Sequence, residues 1–162
     1  MDFRLSLPLL ILGLVGGLAG SGPRGESMEL AIIVNRTAGI GMLTTNELKS
    51  IYLGEKTKWP DGKIIASVAL AREGSEFRFL LKAVCGMSEA DYKRYLIQMS
   101  FEGKSVMQPR MMTSPGAVKA FVSTTPGAIG FVPARDVDPS VSIVKINGAA
   151  PGDSAYKLSM QR

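Results

Sequence analysis

Short apolar runs alternate along this chain with segments that carry helix start and stop signals, and that alternation constrains the fold more than any other feature. Met28 to Asn35 (MELAIIVN) and Lys63 to Leu70 (KIIASVAL) are eight-residue stretches. Their length suits a strand, and their continuous apolarity indicates burial on both faces. Ala128 to Val132 (AIGFV) follows a Pro-Gly turn as a shorter strand, and SIVKI supplies the last strand before the Asn147-Gly148 turn. Between them, Thr44 and Glu47 have capping-box spacing, Leu43 and Leu48 can form a hydrophobic staple, and Gly54 supplies a left-handed stop. Ser75 is expected to cap a helix reaching about Cys85, with Phe77, Leu80, Leu81 and Val84 inward and Gly86 at its end. Ser88 and Asp91 open the next helix, EADYKRYLIQMS, in which Tyr92, Tyr95, Leu96 and Met99 share a face. Ser114 caps a fourth helix with Pro115 in its first position and Val118, Phe121 and Val122 facing in. FEGKSVMQPRMM reads as loop or short strand, Trp59 as exposed or half-buried beside Pro60, and the tail from Ala149 has no strong period. Strands alternating with helices, without internal repeat, predict one α/β layer sandwich.

Ahead of this domain, Arg4 precedes an apolar run from Leu5 to Ala19 that ends in Gly20, Ser21 and Gly22. A membrane span needs about 20 apolar residues, so this shorter run with small residues after it reads as a secretory signal peptide in preference to an anchor. Cleavage fits after Ala19 or after Ser21. The division is therefore a signal peptide over 1–21, a linker over 22–27 and the domain over 28–162, with a periplasmic or secreted location.

Export permits disulfides, yet Cys85 is the single cysteine and there is no histidine. Cys85 reads as a small buried hydrophobe. Without histidine the usual general base is missing, and one cysteine cannot make a zinc site, so no catalytic, metal or cofactor site is expected. With 19 Lys and Arg against 14 Asp and Glu, the net charge of +5 favours anionic ligands. The cations are scattered and no aromatic ladder accompanies them, which argues against nucleic acid.

The stretch REGSEFRF places Arg72, Gly74, Ser75, Glu76, Phe77 and Arg78 at a predicted helix start. Unpaired amides and the dipole at such a start attract anions; Gly74 allows close approach, Ser75 can donate, and Arg72 or Arg78 can add charge-assisted bonds. The other reading needs no ligand: Ser75 caps its own helix, Glu73 or Glu76 balances the dipole, and the arginines pair with nearby acids. Glu76 opposes tight binding of a dianion and favours a protonated or less charged one. Thr125 and Gly127 are candidates to line the same cleft, as loops at the carboxyl ends of open α/β sheets do, with a plain turn as the alternative.

Four stretches in order, LTTNELKSIYLGEKTKWPDGKII, AREGSEFRFLLKAV, TTPGAIGFV and INGAAPGDSAYKLS, resemble the substrate-binding proteins of phosphate ABC transporters. The resemblance covers about residues 28 to 160. It implies a three-layer sandwich of the type 2 periplasmic-binding-protein kind, in a form matching one lobe of a two-lobed protein. It also implies inorganic phosphate or a related oxyanion as ligand and an ABC transporter permease as partner. The chain departs from the family's pattern: Ala71 stands where its usual arginine lies, and Ser75-Glu76-Phe77 replaces Ser-Gly-Thr. The expectation is an exported, non-enzymatic binding protein for uptake or sensing. Its alternative is a ligand-free structural or interaction protein of the cell envelope on the same fold, with self-association through the face a second lobe would cover.

Overall fold

In the computed structural model of the chain, residues 27–71 and 75–161 are described. The first apolar run forms β1 (Ser27–Val34), in which Leu30, Ala31, Ile32 and Ile33 are inaccessible to solvent. It leads through a short turn to β2 (Met42–Leu43) and α1 (Thr45–Tyr52). The capping box forms as its spacing predicts: Glu47 N–H donates to Thr44 Oγ1 at 3.1 Å, and Thr44 N–H donates to the Glu47 carboxylate at 3.0 Å. Leu43 and Leu48 are both buried, and Gly54 at φ 74° supplies the stop.

After β3 (Ala66–Leu70), α2 (Ser75–Leu80) continues into a wider π-type turn, Leu81–Cys85, that Gly86 ends at φ 68°. Then come α3 (Glu89–Phe101), β4 (Arg110–Met112), α4 (Pro115–Thr124) and β5 (Ala128–Pro133). Three two- or three-residue strands complete the chain: β6 (Ser142–Ile143), β7 (Lys145–Ile146) and β8 (Ser159–Gln161).

The main sheet has the order β4-β3-β5-β1-β6, with β8 also pairing to the start of β1. β3 is parallel to β4 and β5, whereas β1 is antiparallel to β5, β6 and β8. Alternation along β5 assigns the two faces. A Cβ on Gly130 would stand 2.6 Å from Val68 Cγ2 and 2.9 Å from Val118 Cγ1, so α4 lies close against that side. On the other side the Phe131 ring meets Tyr52 of α1 edge-on at 5.9 Å and stacks on Phe77 of α2 at 6.5 Å, and Phe77 meets Tyr92 of α3 at 5.7 Å. Helices on both faces of one mixed sheet make three layers, and burial of each such aromatic contributes about 2 kcal/mol.

Two expectations change on the amino-end side of the sheet and at its edge. SIVKI is two strands, because β6 pairs with β1 and the chain then bends at buried Val144 so that β7 pairs with β2. Trp59 is buried, 3% exposed, since its indole N–H donates to the Gly127 carbonyl at 2.9 Å. The tail also packs: Tyr156 donates to the Leu30 carbonyl at 2.6 Å, Leu30 N–H donates to Leu158, and both tail residues are buried.

Candidate functional site

The three parallel strands end together. Ala71 N–H donates to the Met112 carbonyl at 2.7 Å, and extending the β3–β5 register places Ala71 beside Pro133. From this shared carboxyl end the connections diverge: β3 leads to α2 on the Phe131 face, and β4 leads to α4 on the Gly130 face. Neighbouring strands whose connections go to opposite faces leave a crevice beyond their ends, which is where open α/β sheets bind ligands. Ser75, at the start of α2, stands on one side of that crevice, and Thr113-Ser114, ahead of α4, on the other.

Of the six candidates at the α2 start, Arg72 and Gly74 lie outside the described residues. Ser75 and Glu76 stand together in the first turn. The expected cap is not formed by Ser75, which is itself the first helical residue; there its hydroxyl sits on the helix surface and donates to Glu76 Oε2 at 2.8 Å. Phe77 turns its ring into the core, so at a site it can offer only its backbone N–H. Arg78 is exposed and lines a recess of about 400 Å³ with Lys82 and the start of α3.

Thr125 and Gly127 are not in this crevice. Ala66 pairs with Ala128, so the turn before β5 lies at the amino end of the parallel strands, the full length of β3 away from Ser75. At about 3.3 Å per residue that separation exceeds 15 Å. Gly127 instead serves the packing of Trp59: it adopts φ 81°, accepts from the indole, and a Cβ there would stand 2.4 Å from the Ile64 carbonyl oxygen. The residue that register brings opposite the α2 start is Ser114, whose hydroxyl accepts from Ala117 N–H at 3.1 Å. Its Ser-Pro signature marks a helix start in sequence; only strand pairing marks it as crevice wall.

The remaining polar groups serve the framework. Hydrogen bonds from the Thr44 backbone and Lys56 hold the Glu47 carboxyl well down, at about 2. Burial pushes the Cys85 thiol up to about 11 and the Tyr92 hydroxyl up to about 12, which leaves both uncharged at neutral pH. Among the described residues no three His, Cys, Asp or Glu side chains come close enough to hold a metal. Nor is any described helix long and apolar enough to cross a membrane.

No family model matches the chain. Solved structures do. A chain from Clostridium perfringens, assigned as a phosphate ABC transporter substrate-binding protein and solved with bound phosphate, superposes with a TM-score of 0.68 at 23% identity, covering 83% of this chain and 54% of that one. An ABC-type phosphate transport receptor from Vibrio cholerae gives 0.58 at 24% identity, covering 83% and 55%. PstS from Borrelia burgdorferi gives 0.66 at 14% identity over the same shares. This chain has the fold of one lobe of a periplasmic binding protein. It spans about half the length of the structures it matches, and the likeness is one of fold. The starts of α2 and α4 flank the carboxyl end of its parallel strands, with Ser75 and Ser114 at their heads.

Proposed function

We propose that this chain is an exported, non-enzymatic binding module that holds phosphate or a similar oxyanion at the start of α2, in the service of ABC-type uptake or sensing. The observation that carries the reading is the divergence of α2 and α4 from adjacent parallel strands, on a fold shared with proteins whose structures are named for phosphate binding. In this reading the backbone amides at the start of α2 and the Ser75 hydroxyl donate to the anion, with Arg72 and Arg78 supplying charge. Glu76 limits affinity, because its carboxylate already engages the serine. A permease is the partner that uptake requires, and the N-terminal apolar run is the export signal.

Titration calorimetry of the protein with phosphate, sulfate and molybdate tests this. Saturable heat that falls at least tenfold in affinity in Ser75→Ala and in Arg72→Ala is the expected result. Absence of heat at millimolar ligand would remove the receptor reading and leave a ligand-free interaction protein on the same fold.

A further inference from the structure

α3 carries two stripes. Tyr92 is buried, and Tyr95, Leu96 and Met99 are partly covered on the same side. At 100° per residue the opposite side presents Ala90, Arg94, Ile97, Gln98 and Phe101, spaced by three and four residues as in a helix-packing seam. Ile97 is 57% exposed and Phe101 88%. Single exposed apolar residues are ordinary on protein surfaces, but two on successive turns of one face form a patch.

The charges beside this stripe decide what covers it. Lys93 pairs with Glu89 at 3.3 Å, Arg94 with Asp91 at 3.0 Å and Lys104 with Glu102 at 2.8 Å. Each cation at the stripe is matched by a neighbouring carboxylate, so a polyanion or an acidic membrane finds no excess charge there. A chain of net charge +5 repels its own copies over most of its surface. On this locally neutral face it does not.

We propose that a second copy of this chain docks here, α3 against α3, antiparallel about a twofold axis near Ile97 and Gln98. The antiparallel arrangement opposes the two helix dipoles. It sets Phe101 of each copy at the level of Arg94 of the other, so that the ring covers a guanidinium that keeps its own aspartate, and symmetry forms this contact twice. Ile97 is then covered by its counterpart at the centre. A parallel pairing would align the dipoles and place Arg94 against Arg94. This surface is separate from the oxyanion crevice and stands whether or not an anion binds.

Sedimentation velocity across a concentration series is the test. The expected mass rises from one copy toward two, and Phe101→Glu and Ile97→Lys lose the two-copy species while circular dichroism stays that of the parent. Disulfide trapping fixes the geometry, since the native Cys85 is buried and silent. Gln98→Cys, next to the axis, should cross-link, whereas Ala90→Cys should not, because antiparallel helices hold those two positions about 22 Å apart along the axis. A one-copy mass at every concentration, a two-copy mass indifferent to Phe101→Glu, or efficient linkage through Ala90→Cys would each overturn the proposal.

Discussion

Replacing Glu76 by Gln should tighten oxyanion binding, and the size of the gain can be worked from the first turn of α2. Ser75 Oγ lies 2.8 Å from Glu76 Oε2. An anion oxygen accepting from the same hydroxyl would stand about 2.7 Å from Oγ, and so roughly 5 Å from the carboxylate. At that distance two unit charges repel by about 0.8 kcal/mol in water and about 3.3 kcal/mol at an effective dielectric of 20. Glu76 is partly exposed, so solvent screening sets the value near the lower limit, about 1 kcal/mol. Exchanging the charged internal acceptor for a weaker amide oxygen makes the serine hydroxyl easier to recruit and adds up to about 1 kcal/mol. The sum of about 2 kcal/mol corresponds to roughly thirtyfold in Kd. The Coulomb part doubles for a fully dianionic ligand, so sulfate should gain more than monobasic phosphate, and the gain should shrink as salt is added. Calorimetry of Glu76→Gln at low and high ionic strength reads all three trends. An unchanged affinity would show that the anion does not approach Ser75. A weaker one would show that the carboxylate accepts a proton from the ligand, and either result refutes the repulsion argument.

The buried Asn35 amide donates to the carbonyls of Val122 and Ser123 at 2.9 and 3.0 Å and accepts from Thr37 N–H and Oγ1. Asn35→Ala orphans groups on α4 and in the turn that follows β1 and should cost about 3 kcal/mol in urea denaturation; a loss under about 1 kcal/mol would mean that water replaces the amide. Gly127→Ala forces a Cβ to 2.4 Å from the Ile64 carbonyl at a positive φ, so the thermal midpoint should fall by a shift equivalent to about 2–4 kcal/mol. A parent-like midpoint would show that the Trp59 turn yields instead. Glu47 is held at about 2 in the fold against 4.5 unperturbed, so its contribution is present above about pH 4.5 and is lost as pH falls toward 2. The parent and Glu47→Gln should therefore differ in unfolding midpoint at pH 7 and converge near pH 2; a constant difference would assign the effect to packing.

Local chemistry was legible in the chain. The capping box at Thr44, the stops at Gly54 and Gly86, the cap at Ser114 and the buried runs of β1, β3 and β5 depend on residues within a few positions of one another, so spacing alone reveals them. Ser75 was the local exception, because a serine can cap a helix or begin it and the outcome depends on the turn before it. The packing of the tail has no local signature for another reason: Tyr156 and Leu158 find their partners on Leu30, over 120 residues away, without any periodic pattern.

The candidate site divides along the same line. Sequence by itself determined an α/β sandwich, a chain poor in catalytic groups and a polar helix start after β3, since composition, hydrophobic period and capping chemistry are carried by the residues themselves. Tertiary structure alone decided that Ser114 faces that start, that Thr125 and Gly127 sit at the far end of the sheet, and that Trp59 is core. Strand order and direction are set by pairing between distant segments, whose energies are collected only when the whole sheet closes.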